Sequence, residues 1–171
     1  FDLNDCILVI FSDHGTSYGA KFGERFYGSL GYDDTLRTFA LFHGEEFPEF
    51  KSALLARGVD IMPTILDAMK IKENGEIGLD GKSLIPIIKG EKEERIAFSE
   101  IAPLDGTSDH PSSKEPNIHS IKTNRWKLIF YKTLGKYEFY DIKEAPDESK
   151  DLSGMDLKEE EEMRKLLQNH L

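Results

Sequence analysis

The sequence has little that would bind nucleic acid, cross a membrane or form disulfides. Its 171 residues contain 22 Lys and Arg against 32 Asp and Glu, a net charge of −10, whereas general nucleic-acid binders carry a basic surface. No apolar run approaches the roughly 20 residues of a membrane-spanning helix. The single cysteine, Cys6, excludes a disulfide framework and a multi-cysteine metal site. Hydrophobic residues still make up 39% of the chain, enough for a core, so wholesale disorder is excluded as well.

A continuous apolar strand and a glycine-rich loop begin the chain. Residues 6–11 are apolar throughout, which is typical of a strand buried on both faces of a sheet that helices cover. The loop over residues 12–37 is long for a compact domain, and such loops usually carry function. We predict a second short buried strand over residues 38–42 and a helix over residues 60–70, with Asp60 as its N-cap.

The sequence changes character after the charged run at residues 89–95. Short strand-like segments separated by turn residues predict a small antiparallel sheet, and a capping box that begins at Asp156 predicts a closing helix. The predicted strands are residues 96–101, 118–123, 126–131 and 137–140. We therefore predict an α/β fold in two parts, residues 1–90 and residues 91–171.

Two packing predictions follow from these elements. The terminal helix should cover one face of the antiparallel sheet, which needs only one covered face. The strand residues Trp126, Leu128, Phe130 and Tyr140 are expected to pack against Leu166 and its neighbours in this helix. The chain begins at Phe1, without an initiator methionine, just before a core strand. We expect it to be part of a longer polypeptide, so that the 6–11 strand exposes apolar surface or contacts another chain.

Asp13, His14 and Gly15 directly follow the first strand and are the candidate functional site. In open α/β sheets, ligands bind at the carboxyl ends of strands. Neighbouring side chains on a strand point to opposite faces, so Asp13 and His14 converge only if the backbone turns, which Gly15 permits. A carboxylate and an imidazole that converge supply two ligands for a divalent cation. A turn-capping Asp13 and a loop histidine are the alternative, and these residues by themselves leave both open.

Five segments, in order along the chain, resemble the sulfatase family of the alkaline-phosphatase-like superfamily. They are residues 12–37, 59–67, 79–84, 121–129 and 138–148. The third is similar to the family's D-G-x-S-L segment, the fourth to its R-T-x-x-x-K-L-I hairpin, and the fifth to its E-L-Y-D-L…D-P-x-E ending. Lys122 stands where the hairpin usually has Arg. The resemblance implies the end of the main α/β sheet domain, followed by a small antiparallel subdomain with a closing helix.

The resemblance also implies a metal-dependent hydrolase of sulfate or phosphate esters, with Asp13 and His14 as metal ligands. The implied metal is Ca²⁺, with Mn²⁺ or Zn²⁺ as alternatives. In sulfatases the nucleophile is a formylglycine made within a C-x-P-x-R-type segment. Cys6 lacks the following Pro and Arg, so we interpret it as a core cysteine and expect the nucleophile and further acidic ligands to lie outside this chain. The chain alone is then expected to be inactive.

Lys21 is a candidate substrate contact. Many relatives carry His at this position, where it contacts the transferred group, and a lysine could hold a sulfate or phosphate oxygen; a solvated loop lysine fits the sequence equally well. Arg37 is predicted to form a salt bridge with Asp33 or Asp34. Histidines predicted to lie outside the site are His43 on the surface, His110 and His119 without acidic partners, and His170 at the terminus.

The predicted function is part of a sulfatase that hydrolyses sulfate monoesters. The alternatives are a phosphodiesterase or phosphonate monoester hydrolase of the same superfamily, which a His at position 14 leaves open, and a non-catalytic acidic interaction domain. The expected partner is a sulfate- or phosphate-ester substrate. Neither nucleic acid nor a membrane is expected, and an oligomer could form through the exposed sheet.

Overall fold

The chain folds into two units that interleave along the sequence. The computed structural model describes residues 5–21, 25–26, 30–72, 78–101 and 118–171. The first unit combines the residues up to Asp13 with Thr38–Arg95, and the second combines His14–Arg37 with Ile96–Leu171. The division of the sequence into domains at residue 90 stays a prediction.

The described residues form a mixture of strands and helices, as the predicted α/β class requires. The strands are β1 Leu8–Phe11, β2 Ser17–Tyr18, β3 Arg25–Phe26, β4 Ala40–His43, β5 Ala97–Ile101, β6 Ile118–Lys122, β7 Trp126–Tyr131 and β8 Lys136–Asp141. The helices are α1 Asp33–Leu36, α2 Ile61–Ala68, α3 Ile85–Ile88 and α4 Lys158–His170. Among these described helices, none combines the length and the apolar composition that crossing a membrane requires.

The β1 strand lies in an exposed two-stranded ribbon. It pairs with β4 in antiparallel orientation, and Ile10 and Phe11 are 48% and 52% exposed. The prediction that residues 6–11 expose apolar surface is therefore confirmed. The second strand predicted over residues 38–42 forms as β4, shifted to Ala40–His43, but the burial predicted for both strands is not observed, since Leu41 is 61% exposed. A ribbon of two strands offers too few neighbours to bury both of its faces.

Asp60 occupies the predicted N-cap position of α2, but its side chain has another role. Its side chain makes no capping bond; it is fully buried and accepts hydrogen bonds from Arg57 at 2.7 Å and from the backbone N–H of Lys82 at 3.0 Å. The guanidinium of Arg95 lies 2.8 Å from the same carboxylate. Burial alone would raise the pKa of Asp60, but these donors together lower it below its usual value. The carboxylate thus links a 3₁₀ turn, a loop and a distant arginine within the first unit.

The antiparallel sheet of the second unit matches the sequence prediction. Its order is β5-β6-β7-β8, with antiparallel pairing throughout. The closing helix α4 also forms, but its N-cap is Leu157 and no side-chain capping bond is made there. Asp156 instead adopts a φ of 56°, a left-handed conformation that an N-cap does not use. The predicted capping box is therefore wrong.

The face of the sheet beneath α4 holds the main apolar core. Its buried members are Ile121, Leu128, Phe139, Met163 and Leu167. Trp126 and Phe130 pack against this cluster, as predicted. Tyr140 and Leu166 were predicted there and are not: Tyr140 lies in a cluster on the opposite face, and Leu166 is 38% exposed. Since side chains alternate along a strand, Phe139 rather than Tyr140 shares the face of Leu128.

The second face of the sheet is covered as well, which the sequence did not indicate. Tyr32, from the segment before α1, is buried there with Ile118, Ile129 and Tyr140. Gly31 precedes it with a φ of +80°, and a Cβ at this position would lie 3.2–3.6 Å from side chains of the neighbouring strands. Glycine is needed here for both its backbone conformation and the close approach. The segment around Tyr32 thus forms the cover of this face.

We predict that the α4 face of the sheet dominates the stability of the second unit. Leu128→Ala should lower the free energy of unfolding by about 2–5 kcal/mol, since it leaves a cavity in a fully buried position. Leu134→Ala is the matched control, because Leu134 lies in the turn after β7 and is 73% exposed; its cost should stay below about 0.5 kcal/mol. Urea denaturation of both variants measures the difference, and equal losses would contradict the prediction.

Candidate active-site loop

The two predicted metal ligands belong to different units. Asp13 is exposed and is the last residue of the segment that carries β1, in the first unit. His14 is half-buried and begins the second unit. Among the residues that the structure describes, no three or more His, Cys, Asp and Glu side chains form a group that could hold a metal ion. That Asp13 and His14 bind one cation together stays a prediction.

Gly15 is fixed against α1 by a close backbone contact. Its N–H donates a hydrogen bond to the carbonyl oxygen of Thr35 at 2.7 Å. A Cβ at position 15 would collide with the carbonyl oxygen of Asp34. Gly15 does not have a positive φ, so the close approach to α1, rather than a left-handed backbone conformation, is what requires glycine here. The absence of a side chain lets the loop approach α1.

The His14 ring has one nitrogen held by the backbone. Its Nδ1 lies 2.6 Å from the carbonyl oxygen of Gly15; because a carbonyl only accepts, Nδ1 is the donor. A neutral imidazole in this tautomer has its lone pair on Nε2, and metal-binding histidines are commonly oriented by such a bond. A carboxylate oxygen and an imidazole nitrogen suit Mn²⁺ or Zn²⁺, and the carboxylate suits Ca²⁺. The chemistry of the donors therefore fits the implied divalent metal.

Lys21 is turned towards the C-terminal part of the second unit. Its ammonium donates to the backbone carbonyl oxygen of Glu148. It also lies over the ring of Tyr32, at 5.2 Å from the centroid, and over that of Tyr140, at 5.8 Å. Aromatic faces attract a cation at these distances. The side chain is half-buried rather than fully solvated, and its predicted contact with substrate stays a prediction.

The two tyrosines beneath Lys21 are oriented by one buried carboxylate. Glu138 accepts hydrogen bonds from the Tyr32 hydroxyl at 2.7 Å and the Tyr140 hydroxyl at 2.8 Å, and Lys136 pairs with it at 2.7 Å. Burial, together with the nearby carboxylate, raises the pKa of both tyrosines, so they remain donors. Burial alone would raise the pKa of Glu138 too, but the donors lower it below its usual value. The surface beneath Lys21 therefore has a fixed geometry.

Asp33 does not pair with Arg37, and that prediction is wrong. Among the described residues Arg37 forms no ion pair and is exposed, and Asp34 is exposed as well. Asp33 instead lies 2.8 Å from the ammonium of Lys127 and also pairs with Lys122. Asp33 pairs with Lys127 rather than Arg37 because a buried ammonium needs an opposite charge nearby far more than an exposed guanidinium does.

Lys127, Asp33 and Glu148 form a buried charged group that sequence analysis missed. Lys127 is 0% exposed and pairs with both carboxylates, while the backbone N–H of Asp33 donates to Glu148 at 2.9 Å. Burial would raise the pKa of Asp33, but the nearby Lys127 and Lys122 ammonium groups lower it. The available signal was a lysine inside an apolar strand, which predicts a buried pair. Its partner Asp33, 94 residues earlier, could not be identified that way.

The remaining histidines lie apart from the loop, with one correction. His119 was predicted to lack an acidic partner, but β5 and β6 pair so that Glu100 lies opposite it, with its carboxylate 3.6 Å from Nδ1. His43 is exposed, as predicted. His170 lies at the end of α4 and stacks on a strand side chain, and His110 lies outside the described residues.

Residues 26–171 match the family described as the C-terminal region of N-sulphoglucosamine sulphohydrolase. The chain belongs to this sulfatase family. The match covers most of the chain, including α1, the antiparallel sheet and α4. It confirms the resemblance to sulfatases that was based on five short segments.

Known proteins with similar sequences and structures agree with this assignment. The chain is 26% identical over 178 residues to an N-acetylglucosamine-6-O-sulfatase of Bacteroides thetaiotaomicron, covering 98% of this chain and 30% of the relative. A second protein has been solved in complex with its substrate, D-glucosamine-2-N,6-O-disulfate. Its structure matches with a TM-score of 0.74 and 25% identity, over 96% of this chain and 33% of that one. A phosphonate monoester hydrolase of Silicibacter pomeroyi, at 20% identity, TM-score 0.68 and coverages of 96% and 33%, shares the fold alone. The chain thus spans about a third of the length of these relatives.

We predict that acid weakens the second unit through Asp33 and Glu138. Because the pKa of each is lowered on folding, their contribution is present above the unfolded pKa, about 4, and is lost as the pH falls through the lower folded value. Asp33→Asn should cost about 3–5 kcal/mol at pH 7 by leaving Lys127 underpaired. The difference from wild type should shrink towards pH 2.5.

Urea denaturation at a series of pH values measures this effect. Glu162→Gln, on the exposed side of α4, is the control and should leave the pH profile unchanged. A deficit in Asp33→Asn that is the same at pH 7 and at pH 2.5 would show that the carboxylate charge is not responsible.

Proposed function

We propose that this chain is the C-terminal part of a sulfatase that hydrolyses sulfate monoesters of glucosamine-containing carbohydrates. The family match over residues 26–171 carries the proposal. Its substrate class is supported by the curated relative, an N-acetylglucosamine-6-O-sulfatase, and by the neighbour whose substrate is D-glucosamine-2-N,6-O-disulfate. An anionic substrate also needs cationic contacts, because the acidic chain would otherwise repel it.

In this proposal Asp13 and His14 are two ligands of a divalent cation. The Nδ1 bond from His14 to the Gly15 carbonyl supports this role, because bonds of this kind commonly orient metal-binding histidines. A bound cation supplies Lewis-acid polarisation of the ester oxygens. Since the described residues contain no group of three or more His, Cys, Asp and Glu side chains that could hold a metal ion, the remaining ligands would come from elsewhere in a longer polypeptide. Ca²⁺ is the proposed metal, with Mn²⁺ or Zn²⁺ as the alternative.

Lys21 is the proposed contact to the transferred group. Its ammonium is held by a carbonyl oxygen and two aromatic faces, which carry no full negative charge. A sulfate oxygen can replace or join the carbonyl as acceptor, because an ammonium has three donors. The proposed nucleophile is a formylglycine outside this chain. The chain by itself is accordingly inactive.

We predict that activity requires the longer polypeptide. The purified 171-residue chain should show no turnover of glucosamine 6-sulfate or of an aryl sulfate, because it lacks the nucleophile and most of the metal ligands. The longer polypeptide should release sulfate from both. Phenylphosphonate monoester and phosphodiester substrates serve as the comparison. Preference for either would favour the phosphoryl-type alternative. Robust sulfatase turnover by the isolated chain would contradict the proposal that the nucleophile lies outside it.

We predict that Asp13→Ala and His14→Ala, made in the longer polypeptide, each lower kcat/KM by at least about 100-fold, because removing a metal ligand costs several kcal/mol of transition-state stabilisation. His43→Ala is the control, since His43 is an exposed histidine outside the loop; its activity should be unchanged. Metal content after dialysis against Ca²⁺, Mn²⁺ or Zn²⁺ should fall in the first two variants only. Full metal content and full activity in both would exclude them as ligands.

A further inference from the structure

Lys127 places a charged ammonium group at a buried position where an apolar side chain would have a lower free-energy cost of burial. It sits in the centre of the antiparallel sheet, on the same face as Ile129, and is 0% exposed. Withdrawing an ammonium from water costs several kcal/mol, and replacing buried ion pairs by well-packed apolar groups is often neutral or stabilising. Net stability therefore does not explain this residue. A buried charged side chain, unlike an apolar one, requires oppositely charged partners at particular positions.

The partners of Lys127 come from two segments outside the sheet. Asp33 begins α1, and Glu148 lies in the turn that follows β8. The two segments are also joined to each other, because the Asp33 N–H donates to the Glu148 carboxylate at 2.9 Å. Glu148 has a φ of 54°. A residue other than glycine rarely adopts this left-handed backbone conformation unless its surroundings hold it there. The ion group thus fixes both segments against the sheet.

Both fixed segments accept hydrogen bonds from the candidate loop, the segment that carries His14, Gly15 and Lys21. The backbone carbonyl of Glu148 accepts from Lys21, so the turn that Lys127 anchors also sets the position of that ammonium. Within α1, the carbonyl of Thr35 accepts from the N–H of Gly15, the residue that also orients the His14 ring. Lys127 therefore reaches the loop by two routes, neither of which requires it to touch a substrate.

We propose that Lys127 is a positioning residue, whose buried ammonium holds the segments that place His14 and Lys21. As a statement about the loop, the inference is independent of the reaction; as a statement about turnover, it rests on the proposed sulfatase function. Displacing a catalytic group by about 1 Å can cost 100-fold in rate. Loss of Lys127 should therefore lower kcat more than it raises KM.

Hydrogen exchange in the chain tests the loop directly. The probes are the amides of Gly15, Leu36 and Arg37, which bond within the loop and α1, and the reference is the amide ladder between β6 and β7. Lys127→Met should speed exchange at the three probes by at least about 10-fold, while the ladder changes by less than about 3-fold. Lys127→Arg should restore most of the protection, since a guanidinium can pair with both carboxylates.

Two further variants keep this test decisive. Lys165→Met removes an exposed lysine of α4, from a pair whose side chains are 67% and 69% exposed, and should change neither set of amides. Glu148→Gln keeps the side-chain shape and removes only charge, so it should give the same selective pattern if Lys127→Met does not fold. Equal acceleration of probes and ladder would reduce Lys127 to a general structural role and overturn the proposal, as would unchanged probes.

Turnover of glucosamine 6-sulfate by the longer polypeptide is the second readout. Lys127→Met should lower kcat at least about 10-fold with KM within about 3-fold, and Lys127→Arg should recover most of kcat. A wild-type polypeptide without sulfatase activity would refute the proposed function while the exchange experiment still decides the positioning role. Selective loss of loop protection with full kcat would overturn the link between Lys127 and catalysis.

Discussion

The burial of one ammonium group organises the second unit. Lys127 lies in the middle of a sheet whose other face holds the main apolar core beneath α4. An isolated charge could not remain there, so Asp33 and Glu148 must be brought to it. Asp33 lies far upstream in the sequence and Glu148 downstream of the last strand. This requirement gives a physical reason why residues 14–37 belong to the same unit as the C-terminal sheet.

The first unit also contains a buried charged group with partners of opposite charge, but here the central group is negative. There the buried group is a carboxylate, that of Asp60, and the cations are Arg57 and Arg95. Thr64 adds a neutral link, because its hydroxyl donates to the Asp60 carbonyl at 2.6 Å and accepts from the backbone N–H of Leu84 at 2.9 Å. In both units, apolar burial supplies the driving force, while a charged centre determines which loops lie against which elements.

Much of the second unit could be predicted from local sequence, because strands and turns depend on neighbours in the chain. The four strands of the sheet follow from apolar segments separated by turn residues. Which side chains share a face was harder: Tyr140 and Phe139 are equally suited to a core, and one position of register decides between them. Partners such as Asp33 and Lys127 depend on tertiary contacts that no local pattern contains.

The candidate loop shows the same limit in its chemistry. Carboxylate and imidazole next to each other already suggest a cation, so Asp13 and His14 could be chosen from the sequence. Their orientation depends on Gly15, whose lack of a side chain lets the backbone approach α1. Its N–H is taken by Thr35 and its carbonyl by the His14 ring. One residue therefore connects the helix that Lys127 anchors through Asp33 to the imidazole that would bind metal. Within the second unit, this connection links a charge buried in the sheet to the loop where the chemistry is proposed to take place.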